Sequence, residues 1–366
     1  MVKLPFYAKA SLTFIGLISL ITALYIGSHI IVPIIYSTII AIVLSPLVLY
    51  WERKRMNRVW AIITSLVLVL LGGLIFLGLF SSQLSMFTET FPKLLDKFSE
   101  TLNGLVTYIS NRFNVSPTRI NESITELKNE ILNVGKSSIG ATIYTLGNGL
   151  IVMFLIPVYV FMILFYQPLL LEFIRKLFGK EHEIEVNSIL TSTKFIIQKY
   201  LSALLLEATI IATLNSVGLL ILGIDYAIIL GVMGAIINVI PYIGGVIAVA
   251  LPMIVALGTK SSLTYPLLVI GVYVVIQFVD NHYIIPKIVA SKVRINALVS
   301  IIVVLVGGAL WGVPGMFLSI PLTAIIKVIF DHIEDLKPWG FLLGDTMPPI
   351  RVIRIKAKRK EVQLTN

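Results

Sequence analysis

The chain has 366 residues, of which 57% are apolar and only 13% are charged, and it has a formal charge of +10 and no cysteine. So few charges argue against a soluble domain, in which about a quarter of the residues are charged. The absence of cysteine excludes disulfides, thiol catalysis and cysteine metal sites. We attribute the positive charge to basic loops at a membrane surface rather than to nucleic-acid binding, and we predict an all-α polytopic membrane protein.

The first 86 residues predict three membrane spans. The apolar runs Ala10–Gly27 and Ile30–Tyr50 each approach the roughly 20 residues that a bilayer crossing requires, and Val59–Gln83 is a third run. Residues 51–58 contain four basic residues and one acid. Because basic loops stay in the cytoplasm, this loop and the N-terminus are predicted to be cytoplasmic. We therefore treat residues 1–86 as a three-span unit.

Residues 87–140 differ from the apolar runs on either side. They contain six basic and six acidic residues, and their apolar residues recur at helical spacing. This pattern predicts two amphipathic helices outside the bilayer. Such an insertion is typical of a packed lid or a contact between subunits.

Residues 141–199 are predicted to return the chain to the cytoplasm. Ala141–Tyr166 is a fourth span that Pro157 should kink. The mixed-charge stretch Leu169–Lys199 then predicts one or two interfacial helices. A fifth span, Tyr200–Leu222, begins the C-terminal unit, to which we assign residues 200–332.

Two segments of this unit, residues 225–258 and 296–331, are apolar but broken in the middle. A straight helix over the first segment would be about 51 Å long, well beyond a hydrocarbon core of about 30 Å. The breaks are the proline- and glycine-containing stretches Asn238–Gly245 and Gly307–Gly315. Pro266–Ile285, between the two segments, is an ordinary sixth span.

Charge counting separates re-entrant hairpins from full crossings. If both broken segments cross fully, Lys287, Lys292 and Arg294 lie outside without any acid to offset them. If both are hairpins, these three residues are cytoplasmic, as the positive-inside rule favours. We therefore predict six full spans plus two re-entrant hairpins, with eight full spans as the alternative. The basic tail, residues 333–366, is cytoplasmic in both topologies.

The two breaks also indicate candidate functional residues. Irregular backbone persists in a bilayer only where protein or a water-filled cavity satisfies it, and paired interrupted segments point to the binding site of a transporter. Candidate pathway residues are Asn238, Pro241, Tyr242, Gly244 and Gly245 in the first break, Gln277, Asp280, Asn281 and Pro286 at the end of the sixth span, and Gly308, Gly312, Pro314 and Gly315 in the second break.

Two acidic residues are candidates for coupling transport to a cation or a proton. Glu207 lies one-third of the way along the fifth span, and Asp280 lies late in the sixth. An ionisable residue within a span is expensive and commonly functional. The alternatives are a structural carboxylate paired with its neighbours for Glu207 and a solvated acid at headgroup level for Asp280.

Motifs for other kinds of chemistry are missing from the sequence. Gly135-Lys136-Ser137 resembles the end of a phosphate-binding loop, but Glu130 occupies the position of the required glycine. We also find no zinc-binding His-Glu-x-x-His and no Gly-x-Ser-x-Gly motif. We therefore expect no nucleotide-driven engine, no enzyme activity, no cofactor and no resident metal.

Three stretches together resemble the autoinducer-2 exporter family of bacterial permease-like membrane proteins. They are Asn238–Gly245, Val279–Pro286 and Leu305–Leu322, and the resemblance extends over about residues 10–332. It implies a homo-oligomeric transporter of the inner membrane, with a pentamer as one candidate assembly, and a moving hairpin unit. Members are variously assigned to export of autoinducer-2 and to sodium or lithium/proton antiport. Ser202-Ala203-Leu204 departs from the family pattern, which weakens the transfer of substrate contacts to the fifth span.

Three functions remain open from the sequence. The leading hypothesis is secondary transport, by alternating access, of a small polar solute such as a quorum-sensing signal, with export as the expected direction. The second is a Na⁺ or Li⁺/proton antiporter that uses Asp280 or Glu207. The third is a membrane scaffold that recruits partners through its basic tail. Expected partners are membrane lipid, the solute or a monovalent cation, and further copies of the chain.

Overall fold

The structure is a computed structural model that describes residues 5–113, 154–240, 244–260, 262–290, 293 and 295–346. Within these ranges the chain is helical, apart from one isolated antiparallel bridge between Ile295 and Gly344. The predicted all-α polytopic class is therefore confirmed. Several predictions concern residues outside this described part: the second helix of the insertion, the start of the fourth span, Pro241, Tyr242, Lys292, Arg294 and the basic tail beyond residue 346.

The N-terminal unit consists of α1 (Phe6–Ile26), α2 (Ser28–Arg53) and α3 (Arg58–Phe113). Helices α1 and α2 meet at Gly27, and the basic loop at residues 54–57 turns the chain into α3. Helix α3 is 56 residues long and has no break near residue 86. The third span and the first amphipathic helix of the insertion are therefore one continuous helix.

Like α3, each of the next two helices contains both a predicted span and part of a mixed-charge stretch. Helix α4 (Phe154–Phe178) ends at Gly179, whose φ of 76° lies in the left-handed region that favours glycine. A short 3₁₀ turn, Lys180–His182, then leads into α5 (Glu183–Ile221), which is 39 residues long. The interfacial stretch predicted from charge is thus divided between the ends of two long helices.

The segment 225–258 folds into α6 (Ala227–Asn238), α7 (Gly244–Ala248) and α8 (Ala250–Thr259). At 1.5 Å per residue, α6 is about 18 Å long and α7 with α8 about 24 Å, and both lengths fall short of a hydrocarbon core. Gly244 N donates a hydrogen bond to Ile240 O at 3.0 Å across the break. We call this segment the first hairpin, because its two arms are too short for two full crossings.

The chain continues as α9 (Thr264–Val279), π-helical turns over Asp280–Ala290, α10 (Ala297–His332) and α11 (Lys337–Leu343). Within α10, Gly312 has φ 64° and ψ −147°, which no continuous helix adopts. A Cβ on Gly307 would lie 2.5 Å from Gly315 O. In a straight helix these two residues would be about 12 Å apart along the axis. The chain therefore folds back here, and we call α10 the second hairpin.

Six helices in the described ranges are long and apolar enough to cross a membrane: Ser28–Arg53, Arg58–Phe87, Phe154–Phe178, Lys180–Ile221, Thr264–Ile288 and Ala297–His332. The last of these is the second hairpin, which qualifies by total length although it is bent at Gly312. Helix α1, with 21 residues, also has the length of a crossing. This arrangement agrees with a multi-pass membrane protein that contains two broken segments.

The first hairpin is held between three long helices. Gly231 of α6 lies against Ser216 of α5, where a Cβ would come within 2.6 Å of the Ser216 backbone nitrogen. At the other end, a Cβ on Gly258 of α8 would lie 3.2 Å from Leu94 Cα of α3. Glycine thus permits close helix packing, as it commonly does in membranes, where hydrophobic driving force between helices is weak. These contacts position α6 beside α5 and α9, where the candidate site lies.

Candidate functional site

A cavity of about 940 Å³ lies between α5, the first hairpin, α9 and the arms of the second hairpin. Six of the residues predicted from the sequence line it: Glu207, Asn238, Gly245, Gln277, Asp280 and Asn281. Apolar residues, among them Leu204, Val246 and Ile320, form much of the remaining wall. A mostly apolar cavity with a few convergent polar groups is the usual form of a small-molecule site.

Asn238 is the centre of a chain of hydrogen bonds on this wall, which we call the Asn238 chain. Its Nδ2 donates to Asp280 Oδ2 at 3.0 Å, and its Oδ1 accepts from Gln277 Nε2 at 3.0 Å. Asn238 is the last residue of α6 and the first residue of the break, while Gln277 lies near the end of α9 and Asp280 directly follows that helix. The tip of the first hairpin is therefore tied to α9 through side chains.

Two carboxyl groups line the same cavity. Asp280, a member of the Asn238 chain, is 1% exposed, and Glu207, on α5, is 6% exposed. Asp280 Oδ1 has no hydrogen-bond partner among the described residues. Asp280 is thus not the solvated headgroup-level acid that the sequence allowed as an alternative. Oxygen ligands of this kind suit a monovalent cation, a proton or the hydroxyl groups of a solute.

Gly245 allows Gln277 to approach the first hairpin. A Cβ at this position would lie 2.5 Å from Cδ, Nε2 and Oε1 of Gln277. A real Cβ could not occupy this position unless the amide moved. Gly245, a candidate from the sequence, therefore leaves space for the Gln277 amide that donates to Asn238.

The second break lies away from this cavity. Gly308, Gly312, Pro314 and Gly315 are not among the residues that line it. Instead, Trp311 Nε1 donates to Leu24 O at 3.0 Å, and Pro314 O accepts from Tyr36 Oη at 3.1 Å. These bonds attach the tip of the second hairpin to α1 and α2. Only its arms reach the cavity, at Ala297, Ser300 and Ile320.

The remaining predicted residues have separate positions. Gly244 lies in the turn of the first hairpin, packed against the backbone of Ile237 and Asn238. Pro286, in the π-helical turns, is exposed and does not line the cavity. Pro241 and Tyr242 are outside the described residues.

The sequence analysis missed several polar residues near the cavity. Tyr200, Tyr273, Ser300 and Asp345 line it, and Asn215 is buried nearby. Helical spacing could have identified two of these residues, Asn215 and Tyr273. Asn215 follows Glu207 by eight residues on α5, and Tyr273 precedes Gln277 by four on α9, so each shares a face with a residue that was singled out. The described ranges contain no group of three or more His, Cys, Asp or Glu residues that could hold a metal ion.

Comparison with known proteins agrees with this architecture. The family model described as AI-2E family transporter matches residues 14–335. TqsA from Escherichia coli, named an AI-2 transport protein, is 25% identical over 335 residues, which cover 90% of this chain and 93% of TqsA. The Bacillus subtilis "Putative transport protein YrrI" is 26% identical over 309 residues, 82% of this chain and 86% of YrrI.

The match extends over nearly the whole chain, from the first span to the end of the second hairpin, and it confirms the family resemblance seen in the three sequence stretches. Related proteins with this match are transport proteins rather than enzymes. The chain belongs to the AI-2E transporter family.

Proposed function

We propose that this transporter moves a small polar solute through the cavity beside the first hairpin, as a secondary transporter. The observation that supports this most directly is the Asn238 chain, which places amide and carboxylate groups on the wall of a large apolar cavity. Such groups form hydrogen bonds with hydroxyl and amide groups of a solute, and the apolar remainder of the wall limits polar contacts to these positions. Broken helical segments in a membrane protein commonly provide the substrate site.

The mechanism we propose is alternating access, in which the hairpin-bearing unit moves against a static oligomeric frame. Both arms of the first hairpin are too short to cross a bilayer, so the hairpin can move as a body without withdrawing a full span. Among the described residues, the Asn238 chain joins the end of α6 to Gln277 and Asp280 through two hydrogen bonds. A solute that competes for these bonds would change the position of the tip.

The solute class follows from the cavity and from one relative. Amide groups and carboxylates recognise a neutral, hydroxyl-rich molecule better than a hydrocarbon. TqsA, which is similar over most of this chain, is named an AI-2 transport protein. We therefore propose a small polyhydroxylated signal molecule as the solute and export as the direction.

We further propose that the chain acts in the bacterial cytoplasmic membrane as a homo-oligomer with both termini in the cytoplasm. The basic loop at residues 51–58 and the basic tail support this orientation. Many large apolar side chains of α1 and α3 are exposed on the single chain, including Phe14, Ile18 and Leu77. Lipid and neighbouring subunits would cover such side chains in a membrane.

A second candidate function is favoured by the pair Glu207 and Asp280. Two buried carboxyl groups on the wall of one cavity are a common basis for exchanging a cation for protons. In this alternative, Na⁺ or Li⁺ and protons compete for the oxygens of the pair. The solute and antiport functions make different predictions for Asp280→Asn, which keeps the shape of the side chain and removes its charge.

Flux measurements with the purified protein in liposomes test both functions. The solute hypothesis predicts saturable movement of autoinducer-2 or small polyols, and antiport predicts proton movement driven by Na⁺ or Li⁺. Loss of cation-driven proton flux in Asp280→Asn, but not in the exposed control Glu334→Gln, would establish antiport. A protein that moves neither the solutes nor the ions would refute both.

A further inference from the structure

A second polar group lies one helical turn along the first hairpin from the Asn238 chain. Gly234 precedes Asn238 by four residues on α6, so the two share a face of that helix. A Cβ on Gly234 would lie 3.2 Å from Asn215 Nδ2 of α5 and 3.2 Å from Tyr273 Oη of α9. The side chains of Asn215 and Tyr273 therefore pack closely against Gly234 from two neighbouring helices.

Both side chains present a polar atom that the described residues leave unpartnered. Asn215 is 2% exposed and Tyr273 is 3% exposed. Asn215 Oδ1 and Tyr273 Oη find no hydrogen-bond partner within the described part of the chain. Most buried polar atoms have one, and leaving two of them without a partner is costly. This arrangement points to a ligand that supplies the partners.

The second group is neutral and is separated from the carboxylates. Asn215 follows Glu207 by eight residues on α5, which corresponds to about 12 Å along the helix. Tyr273 precedes Asp280 by seven residues, or about 10 Å. The nearest further atom to the Gly234 position is Ala248 Cβ, at 3.6 Å. A cation would be expected at the carboxylates, so this group suits an uncharged ligand.

The chemistry of the two atoms specifies the ligand group. An asparagine Oδ1 only accepts a hydrogen bond, whereas a tyrosine hydroxyl donates or accepts. A hydroxyl group both donates and accepts, so its chemistry complements both atoms. Tyr273 lines the main cavity, which gives such a group a route to these atoms, and the absent Cβ of Gly234 lets both side chains approach the first hairpin closely.

We propose that Asn215, Gly234 and Tyr273 form a second binding site that takes one neutral hydroxyl group of the solute, entered from the main cavity. For the identity of the ligand this proposal rests on the solute function proposed above. The site itself does not depend on that function, because a water molecule presents the same hydrogen-bonding groups. Two experiments separate these parts.

The first experiment tests access to the site without any assumption about transport. Since the chain contains no cysteine, single cysteines can be introduced at Asn215, at Ile211 and at Val246. Methyl methanethiosulfonate, a small neutral thiol reagent, is then applied to the full-length protein in liposomes. Ile211, 1% exposed and one turn away on the same face of α5, is the matched dry control, and Val246, 75% exposed on the cavity wall, is the positive control.

We expect Asn215→Cys to react at a rate close to that of Val246→Cys, and Ile211→Cys to remain unlabelled. Tyr273→Cys gives a second variant in case Asn215→Cys does not fold, as judged by thermal unfolding. If the cysteines at 215 and 273 react as slowly as the one at 211, the site is dry and the proposal is wrong.

The second experiment tests the ligand group. Flux of glycerol and of 1,2-propanediol, which lacks one hydroxyl, is compared in the wild type and in Tyr273→Phe. Loss of one hydrogen bond should lower the preference for glycerol about 10-fold, while thermal stability stays the same or rises because a buried unpartnered hydroxyl has been removed. An unchanged preference, or a clear loss of stability, would overturn the assignment of a solute hydroxyl. If the wild type transports neither compound, the proposed solute class fails, whereas thiol labelling still decides whether the site exists.

Discussion

Asn238 Nδ2 lies 3.0 Å from Asp280 Oδ2, although the two residues are 42 positions apart in the chain. Asn238 ends the first arm of the first hairpin, and Asp280 directly follows the last residue of α9. The bond therefore connects the element we expect to move with the helical segment Thr264–Ile288, which is long enough to cross a membrane. It also explains how a carboxylate that is 1% exposed is accommodated in an apolar protein.

Asn238→Ala tests whether this connection matters. The substitution removes the bonds to Asp280 and to Gln277 and leaves buried polar groups without these partners. We expect a loss of about 1–3 kcal/mol in the free energy of unfolding, together with reduced solute flux. Thermal unfolding and liposome flux measure the two effects. Glu334→Ala, at a side chain that is 91% exposed and does not line the cavity, is the control, and equal behaviour of the two variants would contradict the prediction.

Gly245→Ala tests the approach of Gln277 to the first hairpin. The added methyl group would displace the Gln277 amide, since a Cβ there lies 2.5 Å from three of its atoms. Because the end of the Gln277 side chain can move aside, we expect its bond to Asn238 to be lost and flux to fall, at a stability cost of about 1 kcal/mol for that hydrogen bond.

The matched control for this substitution is Gly271→Ala on α9, where nothing lies within 4 Å of the added atom. Alanine is the better helix former by about 1 kcal/mol, so this variant should unfold at the same temperature or higher and retain its flux. A Gly271 variant that is as impaired as the Gly245 variant would indicate a general effect of glycine replacement.

Gly307→Ala tests the closure of the second hairpin. Its Cβ would overlap Ser319 Oγ and lie 2.5 Å from Gly315 O, and the backbone on the opposite arm cannot move easily. We expect destabilisation of about 1–3 kcal/mol, measured by thermal unfolding. Gly73→Ala on α3, with open space around the added atom, should be neutral. A stable Gly307 variant would argue that the arms do not pack as described.

The membrane topology can be tested with cysteines introduced at Lys260 and Lys292. Re-entrant hairpins predict that a membrane-impermeant thiol reagent labels position 260 from outside and position 292 only after the membrane is permeabilised. Eight full spans predict the reverse. The cysteine-free background makes any labelling attributable to the introduced residue.

The sequence predicted the helical, multi-pass class, both broken segments and the polar residues at the end of α9. These features were accessible because hydropathy, proline and glycine act on the backbone within a few residues of their own position. Glu207 and Asp280 could also be selected, since a charge within an apolar run is visible without any knowledge of packing.

Other features required the tertiary structure. The continuity of α3 across residue 86 depends on contacts such as that of Leu94 with Gly258, which hold the amphipathic half of the helix against α8. The tip of the second hairpin resembles that of the first in sequence, yet its bonds to α1 and α2 keep it away from the cavity.

By itself, then, the sequence determined which segments are apolar, where they break and which polar residues they contain, since each of these properties is local. Only the tertiary structure decided that Asn238 meets Asp280 and Gln277, that Asn215 and Tyr273 converge on Gly234, and that one break borders a cavity while the other does not. The reason is physical: a contact between distant residues depends on how whole helices pack, and packing is set by the combined shapes of many side chains rather than by any short stretch of the chain.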